Sequence, residues 1–80
     1  MTMTHAEMIE RLEWRISSLE TSARRYNQTL VHLAEDYPLK TPEAIQRWND
    51  ATENRRYCQA EAAREKDLLA RIRAKKEKTK

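Results

Sequence analysis

The segment Tyr37-Pro38-Leu39-Lys40-Thr41-Pro42-Glu43 decides how this 80-residue chain folds. A residue before proline is pushed out of the α region, and the proline ring clashes with the preceding turn, so a helix arriving from the N-terminal side must stop by Tyr37. A second helix restarts at once. Thr41 is a good N-cap, Pro42 suits the first helical position and Glu43 places an acid in the first turn. Only Pro38 to Thr41 separate the two helices, and so short a link predicts an antiparallel hairpin over two separate rods.

Toward the N-terminus, Thr4 and Glu7 have capping-box spacing and start the first helix. The sequence therefore predicts an all-α chain with helix 1 at about 5–37, a turn at 38–41, helix 2 at about 42–74 and a basic C-terminal tail at 71–80. Each helix would span roughly 34 residues, or about 50 Å at 1.5 Å rise per residue. In helix 1, Ile9, Leu12, Ile16, Leu19, Ala23, Tyr26, Leu30, Leu33 and Tyr37 alternate spacings of three and four. That pattern predicts a coiled-coil seam, edged by the polar Glu13, Arg15 and Glu20.

Helix 2 offers the stripe Ala44, Trp48, Ala51, Arg55, Cys58, Ala62, Glu65, Leu69 and Ile72. Its ends are apolar and its middle is small or charged. Folded back, Trp48 should lie near Leu33, Arg55 near Tyr26, Cys58 near Ala23, Ala62 near Leu19 and Leu69 near Leu12. Arg55 is the misfit, because a guanidinium in a seam must reach the edge or find an acid. Two helices touching along one line also leave their outer sides wet. Pairing two hairpins into a four-helix bundle, as a homodimer, is the expected remedy.

Composition excludes several functions. The chain contains no glycine, so it has no Gly-rich phosphate loop and no dinucleotide-binding fingerprint. Its net charge of +3 is a property of the tail: residues 1–70 carry ten basic and twelve acidic groups, while residues 71–80 carry six and one. A single cysteine, Cys58, cannot close an internal disulfide and suits a reducing compartment. No stretch approaches the ~18 apolar residues of a membrane span, and Met1 to Glu10 does not read as a secretory signal. A cytoplasmic protein without membrane insertion is expected.

No residues assemble as a catalytic site, a metal site or a cofactor site. His5 and His32 are too far apart on one helix to share a metal, and Cys58 has no histidine beside it. The expected function is non-catalytic: a regulator or inhibitor that binds and occludes a partner protein. Its contact surface would be built from Trp14, Arg11, Arg25, Val31, Tyr57, Arg64 and Leu68, with Trp14 as the anchor because it lies opposite the seam. Its partners would be itself, as a homodimer, and another protein. Two alternatives compete. One is nucleic-acid binding through the basic end, with Arg71, Arg73, Lys75, Lys76 and Lys78 on phosphates. The other is a purely structural oligomerisation unit. Acids interspersed along both helices weigh against a phosphate face.

Overall fold

The computed structural model describes residues 2–78, with side chains through Lys75. Two helices fold back on each other, α1 (His5–Ala34) and α2 (Pro42–Lys78). Both N-termini are capped by threonine. The Glu7 amide donates to Thr4 Oγ1 at 3.2 Å, and the Ala44 amide donates to Thr41 Oγ1 at 3.1 Å. The reciprocal half of the first capping box takes another form, since the Thr4 hydroxyl itself donates to Glu7 Oε1 at 3.1 Å.

Helix α1 ends three residues before the expected limit. Successive amides of Glu35, Asp36 and Tyr37 donate to the carbonyls of His32, Leu33 and Ala34, three residues back, so the chain tightens out of α geometry ahead of Pro38. Tyr37 consequently leaves the seam position that its spacing predicts. It is 83% exposed, on a cis Tyr37–Pro38 peptide. Helix α2 in turn continues past the expected position 74, to Lys78.

The rest of the α1 stripe faces α2. Ile16 and Leu30 are buried, and Ile9, Leu12, Leu19, Ala23, Tyr26 and Leu33 are half-buried. From α2 come the buried Ala51, Cys58, Ala62 and Leu69. Large side chains on one helix thus meet mostly small ones on the other, which lets the two backbones approach closely. The antiparallel arrangement is fastened along both edges. On one, Arg15 Nε contacts Glu65 at 3.1 Å and Arg15 Nη2 contacts Glu61 at 3.9 Å; on the other, Lys66 meets Glu20 at 3.3 Å and Arg73 meets Glu13 at 3.2 Å. Exposed pairs of this kind contribute about 0.2–1 kcal/mol each, so they orient the helices more than they hold them.

The interior is thin. Six apolar residues are buried, and among the described residues no large side chain is sealed completely from solvent. The molecule measures 60 × 24 × 14 Å with a radius of gyration of 17.8 Å, against roughly 12 Å for a compact chain of this length. Because so few residues carry the core, each one matters. Leu30→Ala should lower the urea unfolding free energy by about 2–4 kcal/mol, while Val31→Ala, one position on and exposed, should change it by less than about 0.5 kcal/mol, with helicity followed by circular dichroism.

Candidate interaction surface

With a narrow seam between two rods, the concave features are grooves between the helices and shallow depressions beside them. Among the described residues, no group of three or more histidine, cysteine or acidic side chains is placed to hold a metal ion. No helix there is long and apolar enough to cross a membrane. Cys58 is a free thiol, 7% exposed, packed on the small-residue side of the seam.

The surface residues expected to meet a partner fall on different sides. Trp14 is 74% exposed on the outer side of α1. It borders a shallow depression with Ser17, Ser18, Thr21, Ser22 and Arg25, which brings two of the expected residues together. Helical spacing places Tyr57, Arg64 and Leu68 along one side of α2. Tyr57 and Leu68 are exposed, and Arg64 makes an ion pair with Glu61 at 3.5 Å. Arg11 is exposed on the first turns of α1, and Val31 is exposed near the bend, so neither joins the Trp14 depression.

The cations expected to meet phosphate are partly committed already. Arg71 Nε contacts Asp67 at 3.1 Å within α2, and Arg73 reaches across to Glu13. Lys75 is exposed, and the side chains of Lys76 and Lys78 lie outside the described residues. Arg55 resolves its seam position without an acid: its Nη1 donates to Asn27 Oδ1 at 2.9 Å. A neutral amide suffices because the arginine is only half-buried and keeps part of its hydration.

Two features were not anticipated from the sequence. At the bend, Ala34, Tyr37, Pro38, Leu39 and Trp48 line an almost wholly apolar cleft of about 380 Å³. It exists because α1 stops early and turns Tyr37 outward; aromatic residues on both sides of a proline-bearing bend were the available signal. Farther along, Ala23, Cys58, Ala62 and Ala63 line a groove of about 610 Å³, with Glu20, Arg24 and Lys66 also on its walls. It runs on toward the open end of the hairpin through a second groove shared by Glu13, Glu20, Arg24, Lys66 and Arg73. The Ala-rich middle of α2 was the signal there: Ala62 packs against α1 while Ala63 beside it stays exposed on the groove wall.

No family model matches this chain, and comparisons with curated proteins and with solved structures return no match either.

The Arg55–Asn27 contact gives a stability test. Arg55→Leu should be as stable as the natural sequence or more so, because an apolar side chain suits the seam without a polar partner. Asn27→Leu leaves the guanidinium without its acceptor and should destabilise by about 1 kcal/mol in urea unfolding.

Proposed function

We propose that this protein is a non-catalytic interaction module, a helical hairpin that pairs with itself and regulates a second protein by binding and covering part of it. The three-and-four stripe of α1 forms the seam of an antiparallel coiled coil, and two hairpins associate as a four-helix bundle in the cytoplasm. The observation that carries the reading is Trp14. It is a large aromatic residue, 74% exposed, on a helix face it does not need for the hairpin, beside a depression of hydroxyl side chains and Arg25. An exposed tryptophan ringed by small polar groups and an arginine has the composition of a binding hot spot, where the aromatic supplies desolvated area and the cation sets orientation.

Nucleic-acid binding is the weaker reading, since Arg15, Lys66, Arg71 and Arg73 already face carboxylates. Capture from native extract separates the two. A Trp14→Ala variant that keeps its helicity should lose its protein partner, while removal of residues 71–80 or treatment with nuclease should leave that partner bound. Binding that survives Trp14→Ala but falls by several powers of ten between 50 and 200 mM salt, and vanishes with residues 71–80, would establish nucleic acid instead.

A further inference from the structure

We infer that the outer face of α1 between Arg11 and Arg25 receives an acidic helical segment of another protein, with carboxylates at two points some four turns apart and an apolar side chain between them over Trp14. This rests on Trp14 as the anchor proposed above and supplies the chemistry of what docks there.

The positive charge on this face is unopposed. Helical spacing sets Arg11, Trp14, Ser18, Thr21, Arg25 and His32 on one side of α1, and no carboxylate shares that side between Arg11 and His32. The two acids of that stretch, Glu13 and Glu20, are held at the α2 edge by Arg73 at 3.2 Å and Lys66 at 3.3 Å. Glu7, one turn ahead of Arg11, is engaged by the Thr4 hydroxyl at 3.1 Å. Arg11 and Arg25 are exposed and make no ion pair among the described residues. The contacts that close the hairpin thus draw the acids aside and leave two guanidinia facing outward without a counter-charge.

The ends of the face decide between occupants. Glu7 and Glu10 stand ahead of Trp14 on this side, and Glu35 caps the far end of the helix, so the positive stretch is bounded by acids in both directions. Arg11 and Arg25 lie about 21 Å apart along the axis. A nucleic-acid strand over that length brings about six phosphates to two cations and carries more of them onto the acids beyond. A second copy of this chain offering the same face would set arginine against arginine. A protein helix with a carboxylate at each end of four turns meets both cations at once, and basic residues beyond those carboxylates would meet the flanking acids.

The floor between the cations admits such a helix. Ser17, Ser18, Thr21 and Ser22 are small, and Thr21 turns its hydroxyl back to the Ser17 carbonyl at 2.9 Å, so a second backbone can come close. The three serine hydroxyls make no hydrogen bond among the described residues and are free to donate to a partner's carboxylates.

Fluorescence anisotropy with the full chain tests the inference. The probe is a fluorescein-labelled, alanine-based helical peptide with two glutamates fourteen residues apart and a leucine one turn inside each, so that either direction of docking presents an apolar side chain to Trp14. The peptide should bind. Arg11→Glu and Arg25→Glu should each weaken it by about fivefold or more with helicity unchanged, whereas Arg56→Glu, the same charge change at an exposed position of α2, should alter it by less than about twofold. Lysines in place of the peptide's glutamates should abolish binding. Equal weakening by Arg56→Glu would reduce the effect to net charge and overturn the inference, as would an acidic peptide that fails to bind at ~1 mM. A labelled uridine oligonucleotide that bound more tightly than the peptide, and lost affinity with Arg11→Glu and Arg25→Glu, would assign the face to nucleic acid instead. Arginine-dependent binding of the peptide that survives Trp14→Ala overturns the anchor reading and leaves the charge assignment standing.

Discussion

Everything in this molecule depends on the inability of the backbone to remain helical between Tyr37 and Pro42. Proline removes an amide donor and excludes the preceding residue from the α region, and two prolines four residues apart leave room for one reversal. The amides stranded where α1 ends find carbonyls three residues back, and the first amides of α2 find the Thr41 hydroxyl and carbonyl. Because both helix ends are satisfied locally, the bend does not need a larger domain to support it. It alone converts two long helices, one of them clearly amphipathic, into a pair with a shared inside.

That inside was largely readable from residue spacing. The stripe from Ile9 to Leu33 turns inward, as do Ala51, Cys58, Ala62 and Leu69, because a three-and-four repeat of apolar residues has one side to bury and one neighbour to bury it against. The stopping point of α1 was less readable. Proline sets a last possible helical residue, but how many residues earlier the chain tightens depends on which carbonyls the final amides capture, and that is settled in three dimensions. Tyr37 shows the consequence, since the repeat assigns it to the seam and the backbone turns it to solvent. Arg55 is a similar case. Spacing marked it as out of place, yet its solution in Asn27 depends on rotamers across the pair.

The surface was harder still to read. Periodicity sorts residues into inward and outward, and it says little about where outward residues from two helices come together. The apolar cleft draws on the end of α1, the turn and the first turns of α2, segments whose relation appears only after folding. Of the alanines at the middle of α2, Ala62 is covered by α1, and Ala63 beside it stays exposed on one edge. A hairpin this slender therefore carries its chemical character in the two edges and the outer faces.

The thinness of the interior has a thermodynamic consequence. Heat capacity rises on unfolding chiefly because apolar surface meets water, and here much of that surface is wet before unfolding begins. A lone hairpin must therefore unfold with a small heat-capacity increment, and its stability curve is correspondingly flat. Such a chain melts over a wide span of temperature and scarcely cold-denatures. Anything that bound the folded hairpin and not the unfolded chain would shift its folded fraction by mass action at every temperature.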